Sequence, residues 1–290
     1  MKATSLWFDG GGRHGFGNIR RSLELGRRLA RLGLTVELRP LSAEAAKLAG
    51  CPFGTPGARS EIVVLDVPYR GDAWLASARE LGARVLALDY EGATAPDLVV
   101  SLQAVRPLPP GTRHRVGLDY AIIRSEFLEA IPASPQADGP ALVMLGGGAS
   151  AELTTRITRQ VAALADTVVL VQGPLASPIG AAMLPSSVRV VCEPDNLVAL
   201  IAGCSWAVTT GGTALLEFVH LGRAVHALPR TPAEAAFAGL LAARSALLGI
   251  GEKGLKAPTP AQRDHCAQTG PRLIDGRGCE RIAELIQSLP

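Results

Sequence analysis

Leu142-Val143-Met144-Leu145 is an uninterrupted apolar run that leads into Gly146-Gly147-Gly148 and then into a helical pattern over residues 151–164. The same succession opens the chain, where Leu6-Trp7-Phe8 leads into a glycine-rich loop over residues 9–17 and a helix. A strand, a glycine-rich turn and a helix begin a doubly wound α/β unit. The sequence therefore predicts an α/β fold of two Rossmann-like domains with a cleft between them.

Apolar runs and amphipathic helical stretches alternate along almost the whole sequence. Ile62-Val63-Val64-Leu65 is apolar at every position, which is typical of a strand buried on both faces of a parallel sheet. Helices cover such a sheet on both sides. Further strands are predicted at Thr35–Leu38, Val85–Leu88, Leu98–Val100, Val168–Val171, Val188–Val191, Trp206–Val208 and Ala224–Leu228. Further helices are predicted at Ala73–Leu81, Leu197–Ala202, Leu215–Leu221, Ala233–Leu247 and Gly278–Leu289.

The segment from Pro132 to Gly139 has the composition of a linker, because proline, alanine, glycine and polar residues fill it. The alternation of strands and helices restarts directly after it. We therefore expect an N-terminal domain over residues 1–135 and a C-terminal domain over residues 140–290.

Composition excludes several classes of protein. With 290 residues, 48% of them hydrophobic and 19% charged, the chain is able to bury a substantial core. The net charge of +3 comes from scattered residues with no basic run interleaved with aromatics, so we expect no nucleic acid partner. No apolar run reaches membrane-spanning length. No two of the five cysteines have CxxC spacing, and none forms a cluster with histidines at the spacing of metal ligands. We therefore expect reduced thiols in a cytoplasmic protein. We expect neither a metal site nor a cofactor.

The strongest candidate site is Thr209-Thr210-Gly211-Gly212-Thr213, between a predicted strand and a helix that contains Glu217. Glycines let the backbone approach a ligand, and the N–H groups at a helix start favour a phosphate. The hydroxyls of Thr210 and Thr213 are able to donate to phosphate oxygens, and Glu217 is placed to accept both hydroxyls of a ribose. The alternative is an ordinary turn in which Thr213 caps the helix and Glu217 is solvated.

A second candidate is the loop from Asp9 to Asn18. It lacks the GxxxxGK[ST] of a phosphate-binding P-loop and a GxGxxG in register, so a nicotinamide site is not expected. Its length and glycine content favour a functional loop. His14 is the acid/base candidate, because imidazole titrates near neutral pH; the alternative is an exposed loop histidine. Arg20 and Arg21 either assist with an anion or form a solvated helix face.

Other candidates follow predicted strands. Gly147 and Gly148 belong to the turn that opens the second half, where the backbone is able to contact a pyrophosphate and Ser150 is able to cap the next helix. Asp66, Tyr69 and Asp89 lie at the ends of first-half strands. Carboxylates at such ends either face a ligand or cap the following helix.

Several segments, in order, resemble the UDP-sugar hydrolase of pseudaminic acid biosynthesis and its spore-coat polysaccharide relatives, which are related to the glycosyltransferase that completes lipid II. The family box G-x-x-Y-x-x-L-R-x-E-F is similar to Gly117–Phe127, which contains Tyr120. The family's G-x-G-H-x-x-R loop is similar to Gly15–Arg21, and its closing DGxGxxRI to Asp275–Ile282. Its glycine-rich segment ending in glutamate is similar to Thr210–Glu217.

The resemblance implies a glycosyltransferase-B fold, with the nucleotide in the C-terminal domain and the sugar or acceptor at the N-terminal domain. It implies a UDP-sugar or related nucleotide-sugar as partner, together with a sugar acceptor in a transferase. Substrate-binding residues are then Gly15, Gly17, Arg20, Asp66, Tyr69 and Tyr120.

The chain departs from the family at its catalytic residue. The family's catalytic histidine, which activates the water, falls on Asn18, and asparagine is not a general base at neutral pH. The family's N-Q pair is absent near Thr231–Glu234. We expect a UDP-sugar hydrolase-like enzyme of surface polysaccharide or nonulosonic acid biosynthesis, with His14 as a replacement base. The alternatives are a glycosyltransferase, with Asp9 or His14 as base, and a non-catalytic nucleotide-sugar binding protein.

Overall fold

The structure of the chain is a computed structural model. It describes residues 3–11, 16–53, 60–67, 71–104, 107–130, 138–146, 149–173 and 176–290. The predicted alternation of strands and helices is confirmed, and each strand pairs with its neighbours in parallel. Within these ranges, no helix has the length and apolar character needed to cross a bilayer.

The elements are numbered in chain order. The strands are β1 (Thr4–Phe8), β2 (Val36–Pro40), β3 (Ile62–Asp66), β4 (Arg84–Leu88), β5 (Leu98–Ser101), β6 (Arg113–Val116), β7 (Ala141–Met144), β8 (Val168–Gln172), β9 (Val188–Cys192), β10 (Trp206–Thr209), β11 (Val225–Ala227) and β12 (Gly249–Ile250). The helices are α1 (Gly17–Arg31), α2 (Ala43–Ala49), α3 (Gly71–Glu80), α4 (Ser125–Leu128), α5 (Ala151–Ala162), α6 (Leu197–Gly203), α7 (Thr213–His220), α8 (Pro232–Ala242), α9 (Pro260–Leu273) and α10 (Gly278–Ser288).

The chain forms two compact units. Unit 1 consists of Met1–Ile123 and Gly276–Pro290, and unit 2 consists of Arg124–Asp275. This division differs from the expected domains 1–135 and 140–290, because the change of unit falls at residue 124 and the last helix belongs to unit 1. The physical reason is the apolar face of α10, whose Ile282 and Ile286 are buried in the unit 1 core. Residues 132–137 of the predicted linker lie outside the described residues.

Unit 1 is a six-stranded sheet in the order β2-β1-β3-β4-β5-β6. The apolar residues of β1 alternate between its two faces. Leu6 and Phe8 pack with α1, α2 and α10, whereas Trp7 packs with α3. This division explains why the strand is apolar at successive positions. From β1, the chain adds β2 on one side and then crosses to add β3 on the other side. All of these strands are parallel, but the direction in which successive strands are added reverses between β1 and β3.

Unit 2 is a six-stranded sheet in the order β12-β11-β10-β7-β8-β9. The chain proceeds outward from β7 through β8 to β9, and then crosses back to β10 and continues to β12. Counted from β7, this is the strand order of dinucleotide-binding Rossmann folds. The order in which the parallel strands are added reverses between β7 and β10.

Helix α7 is held closely by α9. Gly270 lies against the carbonyl group of Val219 and Gly222 lies against Ala267, and at neither position is there room for a Cβ atom. The two helix backbones therefore approach at van der Waals distance. This close contact fixes the position of α7 relative to α9.

Several elements were not predicted. Strand β6 is mostly exposed and contains Arg113, His114 and Arg115, so it has no apolar run. Helix α9 contains Pro271 and only two buried residues, so its apolar period is weak. Helix α2 is a short alanine-rich helix whose N-cap Ser42 accepts from the N–H of Ala45. Helix α8 ends at Ala242, five residues before the predicted end.

Candidate functional site

The first candidate site lies at the carboxyl ends of β7 and β10 in unit 2. These two strands are neighbours, and they flank the point where the sheet reverses direction. Open α/β sheets bind ligands at such a point. The turn beginning with Gly146, which has φ of +71°, follows β7, and the turn beginning with Thr210 follows β10. The fold therefore brings the starts of the two turns, Gly146 and Thr210, to the same edge of the sheet.

Helix α7 begins at this edge without a side-chain cap. Its N-cap is Gly212, which has no side chain to accept a bond, and its first turn contains no acidic residue. Thr213 is therefore the first helical residue and not the cap, and the interpretation of Thr213 as a cap is wrong. The N–H groups of this first turn and the helix dipole favour a negatively charged ligand.

Gly211 has a packing role in the turn. A Cβ atom at this position would lie 2.6 Å from Cβ and 2.9 Å from the carbonyl oxygen of Glu234 in α8. At Gly212, by contrast, a Cβ atom would meet nothing closer than 3.8 Å. Gly211 therefore allows α8 to approach the turn, whereas Gly212 keeps the space above the start of α7 open.

Glu217 is buried and paired with Arg124. The Nε atom of Arg124 donates to Oε1 of Glu217 at 2.5 Å, and Nη2 donates to Oε2 at 2.8 Å. The Glu217 side chain is only 4% exposed. The interpretation of Glu217 as a solvated helix residue is therefore wrong. The pairing of Arg124 with Glu217 was not predicted from the sequence, although Arg124 lies in the segment Gly117–Phe127 that resembles the family.

The second candidate site lies at the carboxyl ends of β1 and β3, where the unit 1 sheet reverses direction. Asp66 ends β3 and accepts from Arg21 through both carboxylate oxygens, at 3.1 and 2.5 Å, and from Ser22 Oγ at 2.7 Å. Arg21 also donates to Asp89 at 2.6 Å. Asp66 is only 1% exposed, so it acts here through Arg21 and Ser22.

The charge of Arg21 is fixed by its surroundings. Burial by itself would lower the pKa of the guanidinium, but the charges of Asp66 and Asp89 and the hydrogen bonds to them raise that pKa. Arg21 therefore stays protonated. The interpretation of Arg21 as part of a solvated helix face is wrong, because its side chain is 15% exposed. Asp89 holds a φ of +46°, and its other oxygen accepts from the N–H of Leu102.

Asp9 holds the beginning of the glycine-rich loop. Its Oδ1 accepts from the N–H of Gly10 at 2.8 Å and from Ser42 Oγ at 2.7 Å. Gly11 follows with φ of +91°, and a Cβ atom there would lie 2.7 Å from the Glu44 carboxyl group. Asp9 is buried, and it links β1 to the start of α2.

Helix α1 begins at the end of the same loop. Phe16 is its N-cap without a side-chain bond, Gly17 is its first residue, and Asn18 lies in its first turn, half-buried. Arg20 is exposed, with its guanidinium carbon 4.7 Å from the centroid of the Phe16 ring. Tyr120 is half-buried and packs against the unit 1 core.

Five predicted site residues lie outside the described residues: His14, Gly15, Tyr69, Gly147 and Gly148. The site assignments made from the resemblance stay predictions. Ser150 caps α5, as predicted, and its hydroxyl accepts from the N–H of Leu153 at 3.2 Å. Among the described residues, no cluster of three or more histidine, cysteine or acidic residues is arranged to hold a metal ion.

Asp72 is a further polar centre that sequence reasoning missed. It accepts from the Tyr90 hydroxyl at 2.7 Å and from the N–H groups of Ala93 and Thr94 at 2.9 and 2.7 Å. The hydrogen bond from Ala93, followed by those from Tyr90 and Thr94, lowers the pKa of Asp72 to about 2. This network fixes the loop after β4, which begins with Asp89.

Comparisons with known proteins identify the fold. No protein-family model matches the chain, and no curated protein matches its sequence. Among solved structures, the glycosyltransferase of kitacinnamycin is 17% identical with a TM-score of 0.65, covering 99% of this chain and 99% of that one. MurG of Acinetobacter baumannii is 14% identical with a TM-score of 0.59, covering 99% and 100%. Glycosyltransferase SsfS6 of Streptomyces sp. SF2575, solved with thymidine diphosphate, is 14% identical with a TM-score of 0.59, covering 100% and 100%.

The chain therefore has the two-domain α/β fold of the glycosyltransferase-B type, as predicted. At these identities the likeness concerns the fold and not the reaction. These comparisons do not confirm the resemblance to the UDP-sugar hydrolase of pseudaminic acid biosynthesis.

Proposed function

We propose that the chain is a glycosyltransferase that binds a nucleoside diphosphate sugar at the unit 2 site. The observation that carries the proposal is the start of α7, which has no side-chain cap and lies where the unit 2 sheet reverses direction. A diphosphate supplies the negative charge and the acceptor oxygens that the free N–H groups of a helix start need.

The neighbouring side chains suit the rest of a nucleotide. The hydroxyls of Thr210 and Thr213 are half-buried beside the turn and are able to donate to phosphate oxygens. The carboxylate of Glu217 lies one turn into α7, and helical side chains lean toward the N-terminus. We assign Glu217 to the ribose hydroxyls. The resemblance favours uracil as the base.

The transfer reaction is supported better than hydrolysis. Hydrolysis by the family route needs an imidazole where this chain has Asn18. The kitacinnamycin enzyme and SsfS6 are glycosyltransferases with the same fold, and SsfS6 was solved with a nucleoside diphosphate. We therefore propose a sugar acceptor at the start of α1 in unit 1, near Gly17 and Arg20, with Gly15, Tyr69 and Tyr120 as further contacts.

The general base is assigned to His14. Asp9 is the other candidate on the loop, but its Oδ1 accepts from Gly10 and Ser42 and the side chain is buried. The Asp9 carboxylate, held by these two hydrogen bonds, is therefore suited to fixing the start of the glycine-rich loop. It is less suited to removing a proton from the hydroxyl of a sugar acceptor. We assign Asp66 a structural role as well, because its carboxylate holds the Arg21 guanidinium in place.

The test combines binding and turnover. Isothermal titration with UDP, dTDP, CDP and GDP measures the nucleotide site, and release of UDP from UDP-sugars is then followed with and without sugar acceptors. We expect UDP to bind, and UDP release to require an acceptor. Release in water alone would indicate a hydrolase, and binding without turnover a non-catalytic binding protein. If no nucleotide binds, the proposed function is wrong.

A pair of variants localises the site. Glu217→Gln removes the charge of the proposed ribose acceptor and is expected to weaken UDP binding by about 1.5–3 kcal/mol. Glu252→Gln is the matched control, because Glu252 forms an exposed ion pair with Arg156 elsewhere in unit 2. Equal UDP affinities of Glu217→Gln and the wild type would contradict the ribose assignment.

A further inference from the structure

His226 is a buried histidine that connects the edge of the unit 2 sheet to the segment that follows it. It lies on β11, is 1% exposed, and its Nε2 atom lies 2.7 Å from the carbonyl oxygen of Gly251. Because a carbonyl oxygen only accepts, Nε2 is the donor, and in the neutral ring Nδ1 is the unprotonated nitrogen. The contact therefore selects one tautomer of the imidazole.

Residues 249–255 form a segment, the latch segment, that bends around this ring. It consists of β12, Gly251 with φ of +80°, a 3-10 helical turn over Glu252–Gly254, and Leu255. A Cβ atom at Gly249 would lie 2.9 Å from Cε1 and 3.0 Å from Nδ1 of His226, and one at Gly254 would lie 3.7 Å from Cε1. The absence of a side chain at Gly249 therefore allows the latch segment to close on the imidazole.

Nδ1 of His226 is buried, and within the part of the chain that the structure describes no hydrogen bond reaches it. Protonation would place a second N–H group and a positive charge at this atom, where no acceptor is available. Burial accordingly lowers the pKa of His226, and the hydrogen bond to Gly251 offsets part of this effect. The closed latch segment is therefore poorly compatible with a protonated ring.

The charged groups near the latch segment are engaged elsewhere. Glu252 forms an ion pair of 2.7 Å with Arg156 of α5, in which both side chains are about half exposed. Glu234 of α8, which packs against β12, accepts from the N–H of Arg230. Lys253 is exposed on the turn and would add a second positive charge rather than a counterion. Among the described residues, no carboxylate is hydrogen-bonded to the His226 ring.

The side of the sheet that carries His226 is otherwise apolar. Ala224 and Leu228, two residues before and after it, and Val208, its partner on β10, belong to the buried core of unit 2. The titratable group in that core is Cys266 of α9, and burial raises the pKa of its thiol to about 11, so it stays neutral. A charge on the imidazole would therefore be neither neutralised nor hydrated while the segment is closed.

Few contacts hold the latch segment apart from this bond. The N–H of Gly251 donates to Ala227 at 2.9 Å, and Leu255 packs against the unit 2 core. Strand β12 has two residues and is the outermost strand of its sheet, and the segment is mostly exposed. Such a segment is able to open locally without unfolding the sheet. Because the strands are parallel, it starts at the same sheet edge as the candidate nucleotide turns.

We propose that residues 249–255 are an acid-sensitive latch, which is closed while His226 is neutral and opens when His226 is protonated. The pKa of a solvated histidine is 6.5, and that of His226 in the closed state is lower. The closed state is therefore most stable above pH 6.5 and loses stability as the pH falls from 6.5 toward the pKa of the closed state. Since one proton is taken up, the open population rises by up to about tenfold per pH unit. The inference does not depend on the proposed function.

The experiment is amide hydrogen exchange of the full chain between pH 7.5 and pH 5, with each rate divided by the intrinsic chemical rate at that pH. Protection of residues 249–255 is expected to fall by up to about tenfold between pH 7.5 and pH 5.5, while that of β7 and β10 stays constant. His226→Gln keeps a donor for Gly251 but does not titrate, so its protection should not vary with pH. His265→Gln is the matched control, because His265 is an exposed histidine of α9, and it should behave as the wild type.

A second variant opens the latch segment without acid. Gly249→Ala places a Cβ atom against the His226 ring, so protection of residues 249–255 at pH 7.5 is expected to fall by about tenfold or more. Gly239→Ala in α8 is the control, since a Cβ atom there meets nothing within 4 Å, and it should keep the wild-type protection. Wild-type protection in Gly249→Ala would show that the segment does not close on the ring and would overturn the proposal.

A measurement on the wild type provides the test if His226→Gln does not fold. Nitrogen NMR of the imidazole should show Nδ1 unprotonated above pH 6.5, and uptake of the proton should coincide with the loss of protection. Four outcomes would overturn the proposal: a protonated ring under a segment that stays protected, protection of residues 249–255 that does not change with pH, wild-type pH dependence in His226→Gln, and an equal loss of protection in β7.

Discussion

The hydroxyl of Thr209 donates a hydrogen bond of 2.7 Å to the carbonyl oxygen of Met144. Thr209 is the last residue of β10 and Met144 is the last residue of β7, so this bond ties the two strand ends from which the candidate nucleotide turns begin. Both residues are buried. The Thr209 side chain therefore helps to set the relative position of the two turns. We assign it no contact with a ligand.

Thr209→Val removes this donor while keeping the shape of the side chain. The Met144 carbonyl loses a buried partner, so we expect a loss of about 1–2 kcal/mol in the free energy of unfolding, together with weaker UDP binding. Urea unfolding and titration with UDP measure the two effects. Thr158→Val is the control, since it removes a buried threonine hydroxyl that donates to the Thr154 carbonyl oxygen inside α5, away from the two turns. It should keep its UDP affinity; a parallel loss of affinity would contradict the role of Thr209.

Arg21→Met leaves the buried carboxylate of Asp66 without its cation. Removing one partner of a buried ion pair costs about 3–5 kcal/mol, and we expect a loss of that order in urea unfolding. Arg84→Met provides the comparison, because Arg84 pairs with Asp97 at the surface, where an ion pair contributes about 1 kcal/mol or less. Similar losses in the two variants would mean that Asp66 does not depend on Arg21.

The two adjacent glycines of the α7 turn should respond differently to alanine. Gly211→Ala places a Cβ atom against the backbone of Glu234, and we expect a stability loss of about 1–3 kcal/mol. Gly212→Ala meets no atom closer than 3.8 Å, so it should change stability by less than about 0.5 kcal/mol but weaken UDP binding by obstructing the helix start. Thermal unfolding and UDP titration separate the effects. Unchanged UDP affinity in Gly212→Ala would argue against a phosphate at this turn.

Asp72 makes unit 1 sensitive to acid. Hydrogen bonds lower the pKa of Asp72 from 3.8 to about 2 in the folded protein, so its contribution to stability is present above pH 3.8 and is lost as the pH falls toward 2. Asp72→Asn should therefore flatten the dependence of stability on pH between about 4 and 2, by less than about 1 kcal/mol because the side chain is open to solvent. Urea midpoints between pH 2 and pH 5 measure this. Tyr90→Phe, which removes one of the bonds, should give an intermediate slope; an unchanged slope in Asp72→Asn would refute the assignment.

His14→Ala tests the proposed general base. We expect transfer to fall by at least about a hundredfold, as loss of general base catalysis predicts, while UDP affinity stays near that of the wild type. Asn18→Ala is the comparison, because Asn18 occupies the family's histidine position in the first turn of α1. Its activity should fall less than that of His14→Ala. Full activity in His14→Ala would exclude this residue as the base.

Much of the fold could be predicted because local sequence determines it. The strands β3, β7 and β10 are apolar at every position or at all but one, and side chains that alternate between two buried faces require that pattern. The helix cap at Ser150 and the left-handed turn at Gly33, with φ of +87°, follow from residue chemistry within one turn of the chain.

The polar partners of the candidate sites could not be predicted in the same way. Arg21 and Asp66 are 45 residues apart in sequence, and Arg124 and Glu217 are 93 apart. Nothing in the residues near Glu217 distinguishes a buried, paired carboxylate from a solvated one at the same helical position. The packing of α10 in unit 1 could not be predicted either. An amphipathic pattern shows that a helix has an apolar face, but it does not show which core that face packs against.

The return of α10 to unit 1 has a consequence for synthesis of the protein on the ribosome. The residues that complete the unit 1 core, Ile282 and Ile286, leave the ribosome only after all of Arg124–Asp275 has been made. At about 5–20 residues per second, the nascent first unit waits on the order of ten seconds with part of its apolar surface uncovered. Unit 1, although its first residues are made earliest, is therefore unable to complete its core until the chain is almost finished.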